Sequence, residues 1–427
     1  MKTSAFMKLI FYIISLLLCF SSVVNAAQLG AEQALKRAGL VRRTALKSAS
    51  GTMQLKKTVA DSLGNNLYYV YSNAMDGRLY FVSADDCARP LLGYTDGPVD
   101  FESDSLPLPM SLWLNDYAKQ ISLGIQHPEK VVKGNLLKPT SMLKSFQNEF
   151  PSVDVLLPAE WGNKPFNGLC PKVDTSKTLV GCVALAMFQV MNYYQYPQKG
   201  RDTVMYATTV EGKDTVLRLD LSHSVYDWEA LKDLDSDAGK ATAAVLGRDC
   251  AYTVRASFGL KGTSAKSSNI AKALVRYFDY DSSMVCVGRS NDNVDIWFRI
   301  LYNELSNARP VVYSANGSYG HAFVCDGYNA TDTTFHFNWS WYGKYNGYYA
   351  LSALNPGPDV FDQDHMMVIG IQPPGYFKKG TDHVFAYGDL TLSPNIEKRE
   401  GCHTLSSLGV STTQTGYASV GVYFAPP

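Results

Sequence analysis

The chain has 427 residues, 46% of them apolar and 18% charged, which is the composition of a folded globular protein and excludes a disordered or low-complexity one. Lysine plus arginine and aspartate plus glutamate balance at 39 each, so no basic face is implied that would hold nucleic acid or an anionic membrane surface.

In chain order, Lys2 and Lys8 precede an apolar stretch from Leu9 to Phe20, and Val24-Asn25-Ala26 follows as a small-residue cleavage site. This pattern predicts a secretory signal peptide over residues 1–26 and a product secreted or exported to the cell surface or periplasm. A lipoprotein anchored at Cys19 is disfavoured because Leu18 is too bulky for the small residue such sites need. No later run approaches the ~18 apolar residues of a bilayer span. Beyond the signal lie Cys87, Cys170, Cys182, Cys250, Cys286, Cys325 and Cys402, an odd number, so in an oxidising compartment at least one thiol stays free or pairs between chains. Neither Cys-x-x-Cys nor His-Glu-x-x-His occurs, and no metal or cofactor is expected.

Residues 27–138 read as a small α+β unit. A short helix is expected over Ala31–Ala38, strands in "LYYVYSN" from Leu67 and "GRLYFVSAD" from Gly77, and a further strand and turn in "ARPLLGYTDG". Apolar residues at helical spacing from Leu112 to Ile121 close the unit. Lys130, Lys133, Lys138 and Lys144 then mark an exposed, protease-sensitive linker. Residues 139–373 turn aromatic and glycine-rich and are long enough to bury a large core. Residues 374–427 form an extension with no assignable motif, and "NGSYG" at 316–320 lacks the first glycine of a serine elbow.

The stretch "VGCVALAMFQVMNYYQYP" places Cys182 at the start of a helix that is apolar nearly all round and stops at Pro197. Such a helix is buried, and its N-terminal N–H groups and dipole favour an anion such as a thiolate at its first residue. A small buried hydrophobe is the competing reading of this cysteine. A nucleophile needs a base and a group that orients the base. His321 opens the strand-like "HAFVCDGY", and Asn338 follows with Trp339 and Trp341 in "FHFNWSWYG". A carboxamide can fix the imidazole tautomer and an indole can shield the contact from water. His336 is a rival base, since alternation puts it on the same strand face as Asn338. His223 and His365 read as structural; His127 falls in the linker, and His383 and His403 in the extension.

With these residues in place, the sequence resembles the streptopain family of papain-like cysteine proteases. "GCVALAMFQVMNYYQYP" is similar to its nucleophile helix, "GHAFVCDGY" to its histidine strand and "FNWSWYG" to its Asn-Trp-x-Trp segment. "LYFVSADDCARPLLGYTD" resembles its N-terminal prodomain, and "WGNKPFNGLCP" the motif ahead of the cysteine. The resemblance covers about residues 30–373. It implies an α+β, two-subdomain catalytic fold, helical and antiparallel β, preceded by an inhibitory prodomain that acts as an intramolecular partner until the linker is cut. It implies a cysteine endopeptidase in which Cys182 attacks a peptide carbonyl, His321 is the general acid/base, Asn338 orients His321 and Trp339 covers that contact. The separation of 139 residues between Cys182 and His321 agrees with papain-type chain order, where the histidine lies ~130–150 residues on. The family's glutamine after the tryptophan is absent, and Asn163 is the expected substitute as oxyanion donor, on a shorter arm. Gly181, Ser264, Ala265, Gly320 and Trp341 are the expected substrate-binding residues, with an apolar preference at P2. Two other functions fit the scaffold: acyl transfer of the transglutaminase kind, and a catalytically weak surface-binding protein.

Overall fold

The computed structural model describes residues 27–40, 53–102, 105–128, 147–289, 294–315, 321–354 and 365–376. The expected signal peptide, the lysines of the linker, Gly320, Cys402 and nearly all of the C-terminal extension lie outside the described residues. Two compact units interleave along the chain: residues 1–94, 114–143 and 352–361 in one, and residues 95–113, 144–351 and 362–427 in the other.

In the first unit, helix α1 (Ala31–Arg37) precedes strands β1 (Met53–Ala60), β2 (Asn66–Asn73), β3 (Leu79–Ser83) and β4 (Leu91–Thr95). Each strand pairs antiparallel with the next, with Tyr71 opposite Tyr80 and Phe81 opposite Gly93. β1 was not anticipated: its burial is that of an exposed edge strand, so it lacks a strong apolar alternation. Ala34 and Leu40 pack with Tyr69, Tyr71, Val82 and Leu91 into a small core. Helix α2 (Leu108–Gln126) contributes its residues from Leu114 onward. There Tyr117 donates to the Leu92 carbonyl, and Gln120 Oε1 accepts from Ser352 Oγ and Ala353 N–H.

The second unit follows the expected division into a helical and a β half. A two-residue hairpin, β5 (Lys172–Val173) and β6 (Ser176–Lys177), leads to α3 (Cys182–Tyr194), and the long hairpin β7 (Thr203–Val210) and β8 (Lys213–Asp220) leads to α4 (Asp237–Thr253) and α5 (Asn269–Phe278). Every residue of α3 from Val183 to Asn192 is buried, as its all-round apolar sequence requires. The start of α4 is fixed by Ser236, whose hydroxyl accepts from Gly239 N–H at 3.0 Å.

The β half comprises β9 (Val285–Gly288), β10 (Val311–Ala315), β11 (His321–Asn329), β12 (Thr334–Asn338), β13 (Gly347–Tyr349) and β14 (His365–Ile369), with α6 (Val294–Ser306) between β9 and β10. The strands run in the spatial order β13-β12-β11-β10-β14-β9, all antiparallel. Ala315 is opposite His321, and Val324 is opposite Asn338. One face of this sheet is an aromatic core in which Trp113, the last α2 residue of this unit, meets Tyr313, Phe323, Phe337, Trp339 and His365 edge-on or tilted. The other side meets α3, with Val312, Ala322 and Val324 in the same buried cluster as its apolar residues. No described helix is long and apolar enough to cross a membrane.

Candidate active site

α3 and β11 bring the proposed nucleophile against the backbone of Ala322, the residue after the proposed base. Cys182 is the first residue of α3, and the backbone N–H groups of Ala322, the residue after His321 on β11, and of Val183 and Cys182 itself face its thiol and favour the thiolate. Gly181 caps the helix at φ 90°, ψ 149°, a conformation that side chains disfavour. A Cβ there would also sit 3.0 Å from the Thr263 carbonyl oxygen. Substrate room was the expected reason for this glycine. Backbone geometry and the close approach of Thr263 account for it instead.

Burial shifts both candidate groups toward their uncharged forms. Burial pushes the Cys182 thiol above its ordinary pKa, outweighing the backbone donors that favour the thiolate, and burial lowers His321. His321 Nε2 is buried and makes no hydrogen bond among the described residues. An unsatisfied imidazole nitrogen in a native structure needs an explanation, and a catalytic role is one of few.

Asn338 does not meet His321 as expected. Its Nδ2 donates to the Ala159 carbonyl at 3.1 Å and its Oδ1 accepts from Ser340 N–H at 2.9 Å, so each end of the carboxamide makes one backbone bond. Trp339 follows the strand as a core aromatic, 1% exposed, tilted or edge-on to Phe323, Phe337 and Tyr349, with its indole N–H on the Tyr345 carbonyl. Trp341 is 38% exposed. Ser264 pairs with Ser257 through both backbone groups, and Ala265 packs on the core cluster that includes Cys182. The loop carrying them is tied to the residues ahead of the nucleophile, since Thr263 Oγ1 donates to the Leu179 carbonyl at 2.8 Å.

Asn163 lies in the turn after Trp161. Its Oδ1 accepts from Val180 N–H at 2.8 Å, two residues before Cys182, which leaves Nδ2 as its donor. The sequence did not reveal the group that connects this turn to the Asn338 segment. Gln189, buried in the middle of α3, accepts from Trp161 N–H at 3.2 Å and donates to Ser340 Oγ at 2.8 Å. Its signal was a lone amide within an apolar run, a polar group that must be bonded if buried.

His336 is not a base. Its Nδ1 lies 2.6 Å from Asp326 Oδ1 and its Nε2 2.7 Å from Asp96 Oδ2. Burial alone would lower its pKa, but the two carboxylates outweigh it and raise it to about 10, so the ring is a fixed imidazolium. His365 is the opposite case. Burial, then the Arg289 charge, lowers it to about 3, and Tyr313, which accepts from the Trp297 indole N–H, donates to its Nδ1. His223 is exposed beside Asp220. Of these rings, His321 is the one with a buried nitrogen that makes no hydrogen bond among the described residues.

Residues 161–349 match the model of the peptidase C10 family, a span that holds every element of this site. These residues belong to that family. Among C10 relatives, the Porphyromonas gingivalis thiol protease/hemagglutinin PrtT is 29% identical over 86% of this chain and 44% of its own length. Streptopain of Streptococcus pyogenes is 28% identical over 77% of this chain and 86% of its own. The chain thus spans less than half of PrtT but most of streptopain. A prointerpain A fragment from Prevotella intermedia, a cysteine-to-alanine mutant, superposes with a TM-score of 0.61 at 26% identity, covering 74% of this chain and 98% of that fragment. The likeness read from Cys182, His321 and the Asn338-Trp339 segment holds, and with it the papain-like α+β fold.

Proposed function

We propose that this C10 chain is an exported cysteine endopeptidase made as an inactive precursor. One observation carries the reading: the Cys182 thiol, at the N-terminus of a buried helix, lies against the backbone N–H next to His321, whose buried Nε2 makes no hydrogen bond among the described residues. On ionisation, the Cys182 thiolate attacks the peptide carbonyl carbon. His321 takes the thiol proton and returns it to the leaving amine, and water then releases the acyl group. The helix-terminal N–H of Cys182 and Nδ2 of Asn163 are suited to hold the oxyanion.

The neutral thiol and imidazole fit a latent state. An Asn338–His321 hydrogen bond would form on activation, at the lone pair that Asn338 Oδ1 has left beside its bond from Ser340. The expected prodomain, residues 27–138, would be the intramolecular inhibitor, released by a cut in the lysine-bearing linker. The small residues Thr263 to Ala265 beside Gly181, with the partly exposed Trp341, support an apolar P2 pocket.

The test is expression of the full-length chain with and without Cys182→Ala, followed by a defined peptide offered together with a small primary amine. Wild type should cut its own linker and yield new peptide N-termini, and Cys182→Ala should do neither. Amine incorporation without cleavage would replace hydrolysis by acyl transfer. Failure of a thiol-directed epoxide to label Cys182 in the processed protein would point to a binding protein.

A further inference from the structure

The loop after Asn338 has an unusual backbone. Ser340, Tyr342, Gly343 and Tyr345 have φ of 60°, 57°, 73° and 63°, and three of the four carry side chains that disfavour this region. Such a loop persists only where its surroundings over-determine it. Tyr342 supplies the contacts. Its N–H points to the Trp161 carbonyl at 3.5 Å, and its hydroxyl accepts from Lys164 N–H at 2.8 Å. Its ring lies so close over Gly162 that a Cβ there would come within 2.4 Å of the ring carbons.

Tyr342 therefore grips Trp161 through its backbone and Gly162 and Lys164 through its side chain, the residues on both sides of Asn163. Asn163 is itself tied to Val180, so its amide is held from the loop side and from the nucleophile side. Asparagine reaches one methylene less far than glutamine, so its backbone must be brought closer to Cys182 and kept there. Gly162 is what allows the ring to close over the turn.

We propose that Tyr342 is a positioning residue for the oxyanion site, holding the Gly162–Lys164 turn so that Asn163 Nδ2 is aimed at the oxyanion beside Cys182. This rests on Asn163 being the donor. Tyr342 acts through Asn163 and takes no part in proton transfer or nucleophilic attack, so it should matter only where negative charge develops on the carbonyl oxygen.

The experiment uses the full chain, processed where necessary by a trace of wild-type enzyme. It compares Tyr342→Phe, Tyr342→Ala, Asn163→Ala and the double alanine variant by three readouts: kcat and KM on a peptide, inhibition by a peptide aldehyde, and alkylation of Cys182 by iodoacetamide. The aldehyde adduct carries the oxyanion, and alkylation does not. Tyr342→Ala should lower kcat and weaken aldehyde binding by the same factor, about 10- to 100-fold, with KM and alkylation nearly unchanged. Tyr342→Phe, which keeps the ring on Gly162 and should fold, should show a smaller loss of the same pattern. In the Asn163→Ala background the Tyr342 change should add nothing. Equal loss of alkylation, a KM effect alone, or additive losses in the double variant would each overturn the positioning role while leaving Asn163 as donor. Unchanged aldehyde binding in Asn163→Ala would overturn the donor assignment and the Tyr342 role with it.

Discussion

His336→Ala removes an imidazolium held between two carboxylates, and the structure fixes both the size and the pH dependence of the loss. The Asp326 arm, at 2.6 Å, joins side chains that are 4% and 0% exposed, whereas the Asp96 carboxylate on the other arm is 40% exposed. Solvent screens the second arm to about 0–1 kcal/mol. Removing one partner of a buried pair costs about 3–5 kcal/mol, because the other charge is left uncompensated. Asp326 keeps a bond from Leu157 N–H at 3.0 Å, which places the expected loss near the lower end. The folded-state pKa of about 10 lies above the unfolded histidine value of about 6.5. The stabilisation is therefore full below about pH 6.5 and fades as the pH rises toward 10. Urea unfolding in a Cys182→Ala background, compared at pH 6, 8 and 9.5, should show the stability gap between the parent and its His336→Ala variant widest at pH 6 and narrowing upward. A gap that does not change with pH would refute the charged state, and one below about 1 kcal/mol would refute the buried pair. Where it folds, a His336→Ala enzyme with Cys182 intact should keep its kcat/KM, and His321→Ala should lose it.

Three further outcomes follow from the same geometry. Gly181→Ala should cost about 1–3 kcal/mol from its positive-φ backbone, and by pushing residue 181 away from Thr263 and displacing the adjacent Cys182 should slow peptide cleavage about 100-fold, read as kcat/KM. Gln189→Leu keeps the volume but strands Trp161 N–H and Ser340 Oγ, so the urea midpoint should fall by the equivalent of about 1–3 kcal/mol. Because burial raises the Cys182 pKa from 9.0, iodoacetamide should label the precursor slowly at pH 7 and rapidly only as the pH passes 9; a fast, flat profile from pH 6 upward would contradict the neutral thiol.

The helix of Cys182 and the strand of His321 were legible because each is written in consecutive residues with a clear pattern. The same holds for β2, β3, β4 and α2, although α2 begins at Leu108, earlier than its apolar spacing indicated. The rival base could not be settled that way. All five residues of β12 are buried, so alternation no longer separates a core face from a solvent face, and one of the two carboxylates on His336, Asp96, lies 240 residues earlier in the chain. The orienting role of Asn338 was inferred from residue type, and the structure gives its carboxamide to Ala159 and Ser340. Tyr342 and Gln189 were missed for a related reason: their importance comes from backbone groups of Trp161 and Lys164, which every sequence possesses and none displays.

Residues 95–113 lie in the same compact unit as residues 144–351, with Trp113 in the aromatic core and Asp96 on His336. A cut anywhere between residues 128 and 147 would leave these contacts intact and change only their molecularity. What had been a tethered association, with an effective concentration set by the connecting chain, would become one between two separate molecules. Activation would then have two stages of different order, a first-order scission and a dissociation that depends on dilution. Freshly cut protein kept concentrated should lag behind the same protein diluted.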